Sequence, residues 1–164
     1  MTGTVSTETM VRASDAEEPV RCLVVDDDAQ LRLLLCRLMR AEGFICEEAE
    51  NGRVAAERLR QQPATIVLSD LSMPEVDGIG LLRHVRANYP DTVVILVTAI
   101  ADVEVAVACL ADGAMDYVAK PFHPDEVRAR VHQALEKRRL ILEIRDYHEQ
   151  LEQKVSIQAK RIEE

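Results

Sequence analysis

The 164-residue sequence predicts an α/β domain with a doubly wound parallel sheet, and three observations predict it. Short apolar runs alternate with amphipathic stretches five times between residues 20 and 136. The runs are short and rich in β-branched residues, as buried parallel strands are. The connections are brief, so each helix must cross over and cover a sheet face.

The elements follow in order. Residues 1–19, rich in Thr, Ser and Glu without periodicity, are expected to form a disordered tail. A first strand is expected over Arg21–Val25, then a helix from about Ala29 to Glu42, with Leu31, Leu34, Leu35 and Leu38 on its apolar face and Gly43 as its stop. Phe44–Glu48 reads as the second strand. Asn51 is a good N-cap for a helix ending before Pro63. Thr65–Ser69 is the third strand, followed by a helix over Gly78 to Asn88 that Pro90 closes. Thr92–Val97 is the fourth strand. The next helix, Asp102 to Asp112, carries Val103, Val107 and Leu110 at helical spacing and stops at Gly113. Met115–Ala119 is the fifth strand. Five such units in about 117 residues match the size of a flavodoxin-like (βα)5 fold, for which analogy supplies the strand order 2-1-3-4-5.

After Pro124 a helix begins, and residues 125–164 contain neither Gly nor Pro. A continuous helix there would extend roughly 60 Å at 1.5 Å per residue. Val127, Val131 and Leu135 can pack on the domain. From Ile141 a heptad places Ile141, His148, Val155 and Ile162 at a, with Ile144, Leu151 and Gln158 at d. The polar seam positions leave two readings open, a coiled coil or a solvated single helix. The expected organisation is therefore a tail (1–19), a globular domain (20–136) and a helical linker (137–164).

Composition bounds the function. The chain is 48% apolar with a net charge of −9, which excludes global disorder, and −7 of that charge falls within residues 20–136. An acidic centre argues against nucleic-acid binding and suits a cation site. No apolar run reaches the roughly 18 residues of a membrane span, and no secretory signal is visible, so a cytoplasmic protein is expected. Cys22, Cys36, Cys46 and Cys109 lack metal-ligand spacing and read as buried thiols.

The chemistry gathers at strand ends. Asp26, Asp27 and Asp28 follow the first strand and Asp70 follows the third, which are neighbours at the crevice of this topology. Converging carboxylates repel, and a hard cation such as Mg²⁺ relieves them. Thr98 ends the fourth strand and Lys120 the fifth. A carboxylate cluster, a hydroxyl and an ammonium can assemble a phosphoryl site in which an Asp attacks phosphorus in line.

These segments resemble the receiver domain of two-component response regulators. Leu-Val-Val-Asp-Asp-Asp (23–28) looks like its strand-one acidic motif, and Leu-Ser-Asp-Leu-Ser-Met-Pro-Glu-Val-Asp-Gly (68–78) looks like its phosphoacceptor loop. Leu-Val-Thr-Ala (96–99) and Asp-Tyr-Val-Ala-Lys-Pro-Phe (116–122) complete the set. The resemblance implies Asp70 as the phosphorylated nucleophile, and Asp26, Asp27, Asp70 and the Ser72 carbonyl as Mg²⁺ ligands. It further implies Thr98 and Lys120 as phosphoryl holders, Tyr117 as the aromatic switch with Thr98, and a cis Lys120–Pro121 bond. Ile100 is apolar where many receivers carry a polar group. The implied partners are a sensor histidine kinase and a second copy, meeting through the fourth helix, fifth strand and fifth helix or through the C-terminal helix.

The C-terminal stretch is similar to linkers preceding HD-GYP phosphodiesterase domains, and more loosely to those before kinase or diguanylate cyclase domains. That likeness implies an output domain such as a cyclic-di-GMP phosphodiesterase, since these residues hold no stand-alone enzyme. The alternative reading of the crevice is an Asp-dependent phosphohydrolase acting on small molecules.

Overall fold

A computed structural model of the chain describes residues 18–73 and 76–163, with side chains described through residue 160. The tail expected over 1–19 therefore lies outside the described residues as far as residue 17. Five strands, β1 (Arg21–Val25), β2 (Ile45–Ala49), β3 (Ile66–Asp70), β4 (Val93–Ala99) and β5 (Asp116–Lys120), form one sheet in the order β2-β1-β3-β4-β5. Every pairing is parallel. The helices are α1 (Ala29–Ala41), α2 (Gly52–Gln61), α3 (Gly78–Asn88), α4 (Val103–Ala111) and α5 (Pro124–Glu163), with a 3₁₀ turn (Ile100–Asp102) before α4. This is the flavodoxin-like topology expected, and its winding reverses between β1 and β3.

Strand periodicity divides the core in two. Cys22, Val24, Ile66, Leu68 and Ile95 face α1 and α5, where Leu35, Met39, Val127 and Val131 are buried. Leu23, Val25, Val67, Val94 and Leu96 face the opposite layer of α2, α3 and α4. Both layers are packed with buried apolar side chains, which hold the strand ends in register.

Local chemistry sets the helix ends. The carboxylate of Asp28 accepts from the N–H groups of Gln30 and Leu31, Asn51 accepts from Val54 and Asp77 from Gly80. Gly43 and Gly113 end α1 and α4 at φ of +86° and +107°, a region that favours glycine. All four cysteines are buried free thiols, and the Cys46 and Cys36 sulfurs stand 2.8 Å apart. Hydrogen bonding to Cys22, together with burial, pushes the Cys46 thiol up to about 12.

Two expectations about helix faces need correction. On α1, Leu35 and Leu38 are buried and Leu31 packs on the core as expected, but Leu34 is 43% exposed, while Cys36 and Met39 are buried. Val107 and Leu110 of α4 are exposed, while Ala106 and Cys109 are buried. Both helices are apolar on more than one face, so spacing alone leaves the phase undetermined. The strands also run further than their apolar runs, so that β3 includes Asp70, β4 includes Thr98 and β5 includes Lys120.

Val127 and Val131 of α5 pack on the sheet as expected, with Leu135 half-buried against them. Beyond that point α5 leaves the core, and the seam residues Ile141, Ile144, Leu151 and Val155 are exposed. At the opposite edge of the sheet from the strand carboxyl ends, Arg138 Nε donates to the Asp91 carbonyl (2.7 Å). Arg145 reaches both carboxylate oxygens of Asp91 (2.7 and 3.2 Å). No helix among the described residues is long and apolar enough to cross a membrane.

Candidate functional site

β1 delivers Asp26 to the crevice in a tightly held state. Its N–H donates to the Ala49 carbonyl (3.2 Å), its Oδ1 accepts from the Asp28 N–H (2.9 Å) and its Oδ2 accepts from Lys120 Nζ (3.2 Å). The residue is 1% exposed. Burial pushes its carboxyl above the usual carboxylate range and the Asp70 charge adds to this, while the Asp28 N–H and Lys120 act in opposition.

Asp70 closes β3, paired in register with Val97. The buried Ser69 hydroxyl donates to its carbonyl (2.9 Å), the Ser72 N–H donates to its Oδ1 (3.4 Å), and Lys120 Nζ lies 3.4 Å from its Oδ2. The start of α3 seals it from behind, where the Gly78 N–H donates to the Leu71 carbonyl (2.9 Å). A Cβ on Gly78 would collide with the Asp70 carbonyl and approach Leu71 Cα to 2.7 Å, so this position requires glycine.

Oxygens of Asp26, Asp27 and Asp70 all lie within 4.8 Å of one another. An octahedral Mg²⁺ with oxygens at about 2.1 Å spans about 4.2 Å, and this all-oxygen, partly open donor set fits such an ion. Asp27 is exposed, Asp26 and Asp70 are buried, and the Ser72 backbone follows Asp70 at the same rim. Asp28, expected to join the cluster, serves instead as the N-cap of α1. The loop from Asp70 runs through 74–75, which lie outside the described residues.

Thr98 and Lys120 end adjacent paired strands, with Thr98 opposite Ala119 and Ala99 opposite Lys120. The Thr98 hydroxyl is fully buried and is without a hydrogen-bond partner among the described residues. Buried hydroxyls are rarely left so, and a phosphoryl oxygen is an acceptor suited to it. The Lys120–Pro121 bond is cis, as the resemblance implied. Tyr117 is half-buried on β5 against the α2–α4 layer, and Ile100 is 68% exposed.

The site thus gathers Asp26, Asp27, Asp70 and Lys120 directly and places Thr98 and Ser72 at its rim. Sequence reasoning missed Arg32 of α1. Its Nη1 donates to the Asp26 carbonyl (2.8 Å) and its Nε to Glu48 (3.2 Å). A lone charge between Leu31 and Leu33 was the available signal.

A parallel sheet carrying three acids, a hydroxyl and an ammonium at its carboxyl edge defines a phosphoryl-handling switch domain. The chain belongs to the response regulator receiver domain family, matching it over residues 22–132. It is 42% identical over 131 residues to the regulatory protein AtoC of Escherichia coli (strain K12), covering 80% of this chain and 28% of that protein. It is 39% identical over 112 residues to the DNA-binding transcriptional regulator NtrC of the same organism, covering 68% of this chain and 24% of the relative. The receiver domain of a LuxO repressor protein from Vibrio parahaemolyticus superposes with a TM-score of 0.72 at 27% identity, over 77% of this chain and 98% of that one. The chain therefore spans about a quarter of the length of these curated relatives. Their names are those of regulators, one of them DNA-binding, so they lend no support to the phosphodiesterase linker implied by the C-terminal stretch.

Proposed function

We propose that Asp70 accepts a phosphoryl group from a histidine kinase and that Asp26, Asp27, Asp70 and the Ser72 carbonyl hold the Mg²⁺ this requires. One observation carries the reading: Lys120 Nζ bridges Asp26 and Asp70 at 3.2 and 3.4 Å, and the buried Thr98 hydroxyl at the end of the adjacent strand has no hydrogen-bond partner among the described residues. The Asp70 carboxylate attacks phosphorus in line, the new P–O bond forms as the P–N bond to the kinase histidine breaks, and the imidazole leaves. Mg²⁺ supplies neutralisation of charge on the phosphoryl oxygens. Lys120 pairs with one of those oxygens, and Thr98 turns its hydroxyl toward another.

Movement of Thr98 makes room for Tyr117 to turn inward, which biases the face formed by α4, β5 and α5 between two states. Val105, Val107 and Leu110 of α4 are exposed, as are the seam residues Ile141, Ile144, Leu151 and Val155 of α5. Both are surfaces through which a second copy would associate, with the α5 seam pairing as a coiled coil. The domain so defined spans 20–136 and the linker 137–164, acting in the cytoplasm. Likeness to NtrC, a DNA-binding transcriptional regulator, favours a transcriptional output over a cyclic-di-GMP phosphodiesterase.

Incubation with Mg²⁺ and acetyl phosphate, read by intact mass, tests the transfer. One phosphoryl adduct per chain is expected, absent in Asp70→Asn and absent with EDTA. Multiple-turnover phosphate release from varied monoesters would instead favour the small-molecule phosphohydrolase.

A further inference from the structure

We infer that Arg32 is a positioning residue for the acidic loop, a brace through which β2 sets the metal-binding geometry of Asp26 and Asp27. The inference rests on the proposed role of those acids. Asp26 has four polar groups to place, and each is held from a different direction. Its carboxylate oxygens go to the Asp28 N–H and Lys120, and its N–H goes to the Ala49 carbonyl of β2. Its carbonyl would be left over at the point where the chain departs from the sheet. Arg32 Nη1 takes it at 2.8 Å.

Arg32 is itself fixed. Its side chain is only 18% exposed, and its Nε donates to Glu48 at 3.2 Å. Glu48 and Ala49 are consecutive at the end of β2, so this one strand end holds both the N–H of Asp26, directly, and its carbonyl, through Arg32. The Asp26 carbonyl belongs to the same planar peptide unit as the Asp27 nitrogen. Pinning that plane therefore sets where the Asp27 Cα, and with it an exposed carboxylate of the cluster, projects. Groups that orient a metal's ligands from behind are worth about 10- to 100-fold in metal affinity.

Charge and bracing predict opposite signs, which makes the inference testable. Removing a nearby cation by itself would tighten Mg²⁺ binding, whereas removing a brace weakens it. Lysine keeps the charge but cannot serve Glu48 and the Asp26 carbonyl with a planar fork. Mg²⁺ binding to the 164-residue chain is measured by calorimetry for wild type, Arg32→Ala, Arg32→Lys and Glu48→Gln. The rate of acetyl phosphate labelling is followed across the same Mg²⁺ range, with thermal melting in EDTA as the folding control.

Arg32→Ala is expected to weaken Mg²⁺ binding about tenfold and to raise half-saturating Mg²⁺ in parallel, with the labelling rate at saturation retained. Arg32→Lys should recover little of this, and Glu48→Gln should shift binding in the same direction by less. Should Arg32→Ala fail to fold, Arg32→Lys, which keeps the charge, decides the matter in the same way. Unchanged or tighter Mg²⁺ binding in the variants, or full recovery by lysine, overturns the brace while leaving the metal reading intact. A wild-type chain that binds no Mg²⁺ overturns both.

Discussion

Asp26 is the most constrained residue of the site, and its environment makes a thermodynamic prediction. Burial raises its folded-state pKa, so the folded chain binds its proton more tightly than the unfolded chain does. Stability is therefore lost as pH rises from the unfolded value of about 3.9 through the raised folded value. Above that window the charged form is held at a penalty. Asp26→Asn is expected to raise the melting temperature at pH 7 in EDTA by a few degrees, on the basis of about 2–8 °C per kcal/mol for chains of this size. Mg²⁺ should narrow the gap by stabilising the wild type. Scanning calorimetry with and without the ion checks this, and a lower melting temperature for the variant would contradict it. At this scale the acids were legible because polar residues that end an apolar run stand out in sequence. The role of Asp28 was not, since a cap and a ligand look alike until the chain direction is known. Arg32 escaped notice because its partners, Glu48 and a backbone carbonyl, are brought to it only by strand pairing.

Helix count and helix stops were legible at the scale of elements, whereas the strand order came from analogy to the flavodoxin-like class. Gly43, Asn51 and Gly113 each do what their chemistry predicts. Strand ends were displaced because backbone pairing continues past the last apolar side chain, as Asp70 opposite Val97 shows. The phase of α4 was misjudged for want of a continuous polar face, and on α1 Leu34 alone was misplaced. The anchoring of α5 at Asp91 was invisible, because Arg138 and Arg145 lie 47 and 54 residues away in sequence. This clamp carries its own prediction. The Arg145 guanidinium holds the Asp91 carboxyl below the usual carboxylate range. Its contribution is therefore present above about pH 4 and lost as pH falls through the depressed value. Asp91→Ala is expected to speed hydrogen exchange over 138–148 a few-fold at pH 7, while the sheet amides are unchanged. Equal protection in variant and wild type would show that packing alone sets the course of the helix.

The whole molecule divides its tasks between its ends. Acids, hydroxyl and ammonium occupy the carboxyl edge of the sheet, while the clamp on α5 sits at the amino edge, so a change at Asp70 must cross the β5–α5 layer to reach the linker. Ile141, Ile144, Leu151 and Val155 are exposed on α5, and under the proposed function they would give that route an assembly readout. In sedimentation velocity, wild type is expected to show concentration-dependent self-association that Ile144→Lys reduces, and Asp70 phosphorylation is expected to shift the balance. An identical monomer in all three samples would remove the C-terminal helix as the dimer contact. The expected shift on phosphorylation descends from the phosphoryl group residing on Asp70. Borohydride reduction converts an aspartyl phosphate to homoserine, and peptide mass spectrometry after Mg²⁺ and acetyl phosphate treatment locates it. The account predicts homoserine at position 70 alone; homoserine at Asp26 or Asp27, or none in a chain that carries the adduct, would contradict it.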